Sequence, residues 1–350
     1  MQLIHGGDWA GYQTEYSKMP LDFSANVSPL GLPDGIRQAI IQALPMADRY
    51  PDPLCRMLRE KLAQFHHLSS EMILCGNGAA DLIFRLVLAA RPKTALLTAP
   101  TFAEYAQALE LADCSAQYFV LQKETGFAVT EEILEYITPE LDMLFLCEPN
   151  NPTGRTTDSG LLHRILSRCA DTGTRLILDE CFNEFLEDPA VHTLAGKLTE
   201  YPNLIILKAF TKWYAMAGVR LGYVLCKDAV LLDAMGQSGQ PWPVSTLAQA
   251  AGLAALEETA YSARLKTLIN TQRPYLKAGL QKLGCEVIPG EANYLLFCHP
   301  DTELVLKLRT HGILLRDCAN YRGLGPGWYR TAVRTKTEND IFLHTMKEVF

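Results

Sequence analysis

The chain has 350 residues, of which 48% are hydrophobic and 20% charged, with a net charge of −7. This length suits one large and one smaller domain, and no apolar run approaches the roughly 20 residues needed to span a bilayer. The acidic balance without a basic run excludes a typical nucleic-acid binder, and ten scattered cysteines without a Cys-x-x-Cys pair predict neither a zinc site nor a disulfide framework. With no signal-peptide pattern at the start, we expect a cytoplasmic protein with no metal, membrane or nucleic-acid partner.

The first 35 residues are rich in turn formers and predict an irregular N-terminal arm. Two motifs lie in it, His5-Gly6-Gly7 and Asp22-Phe23-Ser24-Ala25-Asn26, and turn chemistry alone would explain both. Helical spacing follows over Ile36–Leu44 and Leu54–Phe65, and the prolines of Arg49–Pro53 separate these two segments.

From residue 72 onward, short apolar runs alternate with helical segments. This alternation predicts an α/β fold with a mainly parallel seven-stranded sheet that helices cover on both faces. The predicted strands are Met72–Cys75, Ala95–Thr98, Ala116–Leu121, Met143–Cys147, Leu176–Leu178, Leu204–Leu207 and Leu221–Cys226.

Beyond Pro243 the pattern changes to a long alanine- and leucine-rich helical stretch from Val244 to about Thr271. A smaller α+β region follows, packed near the N-terminal arm. We therefore predict an arm (1–35), a large domain (36–262) and a small C-terminal domain (263–350). The predicted strands of the small domain are Glu286–Ile288, Tyr294–Phe297, Ile313–Leu315 and Tyr329–Val333.

Polar motifs follow several of the predicted strands. The turn Gly76-Asn77-Gly78 opens a helix and could bind an anion, while Cys147–Gly154 ends a strand at the sheet edge where ligands bind. Asp179 ends an apolar strand, where a buried carboxylate needs a cation or hydrogen-bond donors. Chain reversal, an Asn-Pro turn and a helix cap would explain these motifs one at a time, but their order along one sheet favours a shared site.

A lysine lies between the last two strands of the sheet. Lys212 follows Thr211 and precedes Arg220, so its amine could form a Schiff base with an aldehyde cofactor whose phosphate the other two residues bind. An ordinary basic loop is the alternative for this segment alone. Together with the other three motifs, the lysine favours the cofactor site.

These motifs identify a wider resemblance. The sequence resembles the fold-type I pyridoxal-phosphate enzymes, in the branch of histidinol-phosphate aminotransferase, over nearly the whole chain. Within that branch it is most similar to the decarboxylases that act on phosphothreonine. The stretches that carry the resemblance are His5–Gly7, Leu21–Asn26, Arg49–Asp52, Pro100–Tyr105, Arg316–Tyr321 and Pro241–Ser245.

The resemblance implies pyridoxal 5'-phosphate as cofactor and gives residues their roles. Lys212 would carry it as a Schiff base, and Lys208, at the end of the preceding strand, would be structural. Asp179 would pair with the pyridinium nitrogen, Asn151 would bond the ring oxygen, and Phe102 would stack on the ring.

The same resemblance implies a binding site for the cofactor phosphate. The backbone at Gly78 and Ala79 would hold it together with Thr211 and Arg220. Tyr50 would reach this phosphate from the neighbouring subunit, which implies a homodimer.

For the substrate, the resemblance implies that Arg330 binds the α-carboxylate. The implied reaction is decarboxylation of O-phospho-L-threonine to (R)-1-aminopropan-2-yl phosphate in cobalamin biosynthesis. Transamination of histidinol phosphate and decarboxylation of phosphoserine stay open as alternatives. The remaining implied substrate residues are His5, Gly6, Asn26, Asn151 and Arg316.

Three positions depart from family patterns. Phe182 stands where aminotransferases of the branch carry a tyrosine that donates to the ring oxygen, and Arg334 stands where they carry glycine. Both changes are typical of the decarboxylases. Cys181 replaces the usual alanine of the decarboxylases, and we interpret it as a small buried side chain.

Overall fold

The computed structural model describes residues 5–349. Its helices are α1 (Trp9–Tyr16), α2 (Asp34–Ala43), α3 (Arg56–His66), α4 (Gly78–Ala90), α5 (Ala103–Leu111), α6 (Ser159–Thr172), α7 (Phe210–Trp213), α8 (Ala229–Gln237), α9 (Thr246–Ala255), α10 (Thr259–Lys282), α11 (Leu304–Thr310) and α12 (Lys336–Val349). Its strands are β1 (Leu21–Asp22), β2 (Ile73–Gly76), β3 (Thr94–Ala99), β4 (Ser115–Val120), β5 (Met143–Cys147), β6 (Arg175–Asp179), β7 (Leu204–Ala209), β8 (Gly222–Cys226), β9 (Glu286–Val287), β10 (Tyr294–Cys298), β11 (Ile313–Leu314), β12 (Arg316–Asp317) and β13 (Trp328–Ala332).

The predicted seven-stranded sheet is confirmed. Its strand order is β2-β8-β7-β6-β5-β3-β4, and β8 alone runs antiparallel to both of its neighbours. Strand β5 is buried along its whole length, as expected for a strand covered on both faces. One apolar core lies under α4, α5 and α8, and a second lies on the opposite face under α3, α6 and α9.

The register of this sheet assembles the predicted motifs at one edge. Cys147 on β5 pairs with Asp179 on β6, which pairs with Leu207 on β7. At Gly222 on β8 the chain lies directly against the glycine turn. A Cβ at this position would lie only 2.6 Å from the Ala79 nitrogen. The sheet therefore requires a residue without a side chain here.

The C-terminal region forms an antiparallel sheet of four strands, in the order β12-β13-β10-β9. Strand β1 of the arm pairs in parallel with β11, and Phe23 is buried and stacks on Phe342 of α12 with the ring centroids 4.6 Å apart. The arm thus packs against this region, as we expected from the sequence.

Two sequence-based expectations were wrong. The arm contains the helix α1, whose buried Tyr12 stacks on Tyr16 and lies under the Arg309 guanidinium. The stretch expected as one long helix from Val244 is two helices, α9 and α10, which separate at residues 256–258. The break occurs where the chain leaves one core for another, because Ala251 packs with the large sheet and Leu265 with the C-terminal region.

Among residues 5–349, no helix combines the length and apolar composition needed to cross a membrane. The division at residues 35/36 and 262/263 stays a prediction. The C-terminal core is built from α10, α11, α12, β10 and β13, and it includes Phe23 of the arm.

Candidate active site

A cavity of about 660 Å³ opens at the edge where β5, β6 and β7 end. It collects nearly all of the predicted site residues. Gly78 lies directly behind Arg220, and Tyr50 does not line the cavity of its own chain. The predicted residues that do line it are His5, Gly6, Asn26, Ala79, Phe102, Asn151, Asp179, Thr211, Lys212, Arg220, Arg316 and Arg330.

Lys212 lies in α7, just after β7, and its side chain is half-buried in the cavity wall. Burial lowers the pKa of Lys212, and the positive charges of Arg330 and Arg220 lower it further. Its Nζ lies 6.0 Å from the centre of the Phe182 ring. A lowered pKa increases the fraction of neutral amine, which is the form that attacks a carbonyl carbon.

Lys208 has the opposite environment. Its Nζ lies 2.9 Å from a Glu184 oxygen and 3.0 Å from a Glu180 oxygen, and Glu180 is fully buried. Although burial acts against it, these two carboxylates raise the pKa of Lys208 well above its usual value. The geometry favours a structural role for Lys208 and a reactive amine at Lys212.

Asp179 is buried and lines the cavity. Its Oδ2 accepts a hydrogen bond of 2.6 Å from the Tyr105 hydroxyl, and its Oδ1 accepts one of 3.0 Å from the Cys181 backbone. Sequence reasoning missed Tyr105, which lies on α5 within the conspicuous segment that begins at Pro100. Both hydrogen bonds orient the carboxylate, so Asp179 is held in position to meet a cation in the cavity.

The glycine turn and Arg220 form a cradle for an anion. Gly78 has φ +81° at the start of α4, and a Cβ there would lie 2.8 Å from Nη2 of Arg220. Thr211 is buried beside them, and Ala79 lines the cavity. The free amides of a helix N-terminus, a hydroxyl and a guanidinium together suit a phosphate group.

Arg330 on β13 points into the cavity and is buried. Its Nη1 donates to Oδ1 of Asn151, its Nη2 donates to the Ser24 carbonyl at 2.9 Å, and its Nε is buried without a partner among the described residues. Both side-chain polar atoms of Asn26 are likewise buried and unpaired within residues 5–349. Such atoms mark a place that a polar ligand completes, because unpaired buried donors are costly.

The end of the cavity nearest the arm carries more cationic groups. Nε2 of His5 lies 2.8 Å from a Glu104 oxygen. Arg316 is buried, donates to Oδ1 of Asn320 at 2.8 Å, and lies 5.2 Å from the centre of the Tyr321 ring. Sequence reasoning gave no role to Glu104 or Tyr321, although both lie in stretches that carry the family resemblance.

These residues fit pyridoxal 5'-phosphate. A reactive amine, a hydrogen-bonded carboxylate and a phosphate cradle share one cavity, and Phe102 lines it where a ring could stack. Because Oδ1 of Asn151 accepts from Arg330, the amide nitrogen of Asn151 is left to donate to a ring oxygen. The fit therefore rests on groups that are already oriented by neighbouring residues.

The aromatic residues near the lysine explain one departure from the aminotransferase pattern. Phe182 packs edge-on against Tyr294, with ring centroids 5.0 Å apart, and next to Phe185. It offers no donor to a ring oxygen. Cys181 is buried beside it, in agreement with our interpretation of a small buried side chain.

Comparison with known proteins agrees with this chemistry. Residues 18–346 match the family described as aminotransferase class I and II. The chain is 38% identical to threonine-phosphate decarboxylase of Salmonella typhimurium, over 99% of this chain and 96% of that one. It is 34% identical to histidinol-phosphate aminotransferase of Symbiobacterium thermophilum, over 92% of this chain and 88% of that one. Among solved structures, it is similar to the histidinol-phosphate aminotransferase of Clostridium acetobutylicum, with a TM-score of 0.88, 26% identity, and coverage of 94% and 98%.

Proposed function

The chain belongs to the class I and II aminotransferase family and is a pyridoxal 5'-phosphate enzyme, and on that basis we propose that it decarboxylates O-phospho-L-threonine. The product would be (R)-1-aminopropan-2-yl phosphate, and the pathway cobalamin biosynthesis. The observation that carries the proposal is the 38% identity to a threonine-phosphate decarboxylase over 99% of the chain.

The charges of the cavity support a substrate with two anionic ends. Arg330 at one end is proposed to bind the α-carboxylate through the Nε that has no partner among the described residues. Arg316 and His5 at the arm end are proposed to bind the phosphate, because guanidinium groups match phosphate geometry. Asn26, whose amide is unpaired, and Gly6 complete this part of the site.

Two groups are proposed to hold the cofactor at its ends. Lys212 is the covalent attachment point, and Asp179 holds the ring nitrogen in its protonated form. When bound, the cofactor withdraws electrons from the Cα atom of the substrate. The amide of Asn151 and the Phe102 ring orient its plane, while the cradle of Gly78, Ala79, Thr211 and Arg220 holds its phosphate.

The side chains of the cavity decide which Cα bond breaks. With the cofactor bound, Arg330 would hold the α-carboxylate in the orientation from which carbon dioxide leaves and so would favour decarboxylation over loss of the Cα proton. As carbon dioxide leaves, Cα retains the electron pair of the broken bond. Lys212 would then return a proton to Cα from its Nζ.

The active unit is proposed to be a homodimer in the cytoplasm. Tyr50 is 79% exposed and stacks on Trp242, with the ring centroids 4.3 Å apart. It lies in a run of exposed apolar side chains that includes Leu44, Leu54 and Met57. A second copy of the chain would cover this face, and Tyr50 would then reach the cofactor phosphate of the neighbouring site.

The test is to supply phosphothreonine and, separately, phosphoserine to the cofactor-loaded protein without any 2-oxo acid. We expect carbon dioxide release and, by mass, aminopropanol phosphate as the main amine product. Faster carbon dioxide release from phosphoserine would change the assigned substrate but leave the assigned reaction as decarboxylation.

A histidinol-phosphate aminotransferase is the second candidate, favoured by the 34% identity to such an enzyme. That activity requires a 2-oxo acid as amino acceptor. Turnover of histidinol phosphate with 2-oxoglutarate, and no carbon dioxide from either phosphoamino acid, would replace our proposal with this one.

A further inference from the structure

Arg334 is fixed to the first turn of α12. Its Nε and Nη2 donate to one oxygen of Glu338, at 3.0 and 2.6 Å. The other oxygen of Glu338 accepts from the backbone and hydroxyl of Thr335, whose Oγ1 in turn lies 3.4 Å from the Glu338 nitrogen. This reciprocal arrangement is a capping box, so the carboxylate that orients Arg334 is itself held by a helix start.

The third nitrogen of this guanidinium holds the arm. Nη1 of Arg334 donates to the Asp22 carbonyl at 3.2 Å, and the guanidinium carbon lies 5.9 Å from the centre of the buried Phe23 ring. The Asp22 carboxylate then closes a tight turn. One of its oxygens accepts from the Ser24 backbone, the Ser24 hydroxyl and the Ala25 backbone, at 2.8, 2.6 and 3.2 Å.

Ser24 links this turn to both ends of the substrate site. Its carbonyl accepts from Nη2 of Arg330 at 2.9 Å, and its hydroxyl accepts from the Gly7 backbone at 2.7 Å. The arm lies so close that a Cβ on Gly6 would be 2.3 Å from the Ser24 carbonyl oxygen. The position of Ser24 therefore sets the plane of Arg330 and also the placement of the segment that carries His5.

We propose that Arg334 is a positioning residue that selects the reaction by fixing the turn from Asp22 to Ala25. This inference rests on the proposed function, in which Arg330 holds the carboxylate and His5 the phosphate. Without Arg334, the turn loses the contact to α12 and Arg330 can rotate about its bonds. Arg330 would then hold the carboxylate less firmly, and Cα would more often lose its proton instead of carbon dioxide.

The experiment compares Arg334→Gly with the wild-type holoenzyme, and Lys336→Ala serves as a matched control. Lys336 lies on the same helix turn and makes its own ion pair with Asp340 at 2.8 Å, and within residues 5–349 no hydrogen bond or ion pair joins it to the arm. The first measurement is amide hydrogen exchange. We expect the Gly7, Ser24 and Ala25 amides to exchange roughly tenfold faster or more in Arg334→Gly and at the wild-type rate in Lys336→Ala.

The second measurement is the product ratio with phosphothreonine. With a misplaced carboxylate, Cα would lose its proton in some turnovers instead of carbon dioxide. The neighbouring β-phosphate would then leave as inorganic phosphate, and hydrolysis would release ammonia and a 2-oxo acid. We expect kcat for carbon dioxide release to fall roughly 10- to 100-fold, with a rise in the ratio of 2-oxo acid to carbon dioxide. A purely structural role would lower both products together and leave this ratio unchanged.

Two further variants allow the same measurements if Arg334→Gly folds poorly. Glu338→Gln keeps the shape of the helix cap but weakens the hold on Arg334, and Arg334→Lys keeps the charge with one donor group. Both should move exchange and product ratio in the same direction as Arg334→Gly, by smaller factors.

The outcomes separate this inference from the proposed function. A wild-type enzyme that releases no carbon dioxide would overturn the proposed function, and the exchange rates would still report on the arm. Unchanged exchange at Gly7, Ser24 and Ala25 in Arg334→Gly and Glu338→Gln would overturn the inference, as would an unchanged product ratio.

Discussion

Substituting the two lysines of the β7–β8 segment separates structural from chemical roles. In Lys208→Met, the fully buried Glu180 loses the ammonium that lies 3.0 Å away. An unpaired buried carboxylate costs about 3–5 kcal/mol, whereas Glu184, which is 37% exposed, adds little because water screens it. The free energy of unfolding should therefore fall by about 3–5 kcal/mol, while the cofactor remains attached.

Lys212→Met should give the reverse result. No carboxylate of residues 5–349 lies within ion-pair distance of Lys212, and burial lowers the pKa of this amine. Replacing an amine that is poorly solvated by an apolar side chain should change the free energy of unfolding by less than about 1 kcal/mol. The visible absorbance of the bound cofactor should disappear, and turnover with it.

The assay is urea unfolding together with absorbance of the purified protein after addition of pyridoxal 5'-phosphate. The double variant Lys208→Met/Glu180→Gln is the control, since removing the orphaned charge should recover part of the lost stability. Retention of the cofactor band in Lys212→Met would refute the reasoning. So would a loss of that band in Lys208→Met at unchanged stability.

Three other predictions follow from the site. Asp179→Asn should lower kcat/KM for carbon dioxide release by roughly 10²–10³-fold, because the buried cation of the cofactor loses its partner; unchanged kinetics would contradict the assignment. Arg316→Ala should raise KM for phosphothreonine far more than for threonine, and equal effects on the two would remove Arg316 from the phosphate site. Burial raises the pKa of Glu148 to about 8, so the native state retains a proton there that the unfolded state releases near pH 4.5. Stability from this group is complete below pH 4.5 and is lost as the pH rises to 8, so Glu148→Gln should flatten the decline measured by urea unfolding between pH 5 and 8.

Much of the large sheet could be predicted because its strands appear in the sequence as uninterrupted apolar runs. Met143–Cys147 is buried at every position, and a strand of that kind has few alternatives in a chain of this composition. The same logic located Asp179, since an acid at the end of such a strand needs a partner. Residues at strand ends converge because parallel strands share one edge, so their proximity follows from the fold class alone.

Other features depend on long-range contacts that local sequence patterns do not show. Helix α1 has a single buried side chain, Tyr12, and is stabilised by Tyr16 and Arg309 rather than by an apolar face. The break between α9 and α10 has no glycine or proline at residues 256–258 and reflects a change of packing partner. Tyr105 was missed for a similar reason, because its hydroxyl reaches Asp179 across 74 positions of sequence.

The site has two parts, and different structural elements position the side chains of each part. The residues proposed to hold the cofactor are placed by the sheet itself, since Lys212 follows β7 and Asp179 ends β6. Arg330, proposed to bind the substrate, and Gly7, next to the segment of His5, both bond Ser24, whose turn is held by Arg334 and by hydrogen bonds within the arm. A change in the arm can therefore alter which bond of the substrate faces the cofactor while cofactor affinity stays the same. A glycine at position 334 would remove the contact from α12 to the turn without disturbing the sheet edge.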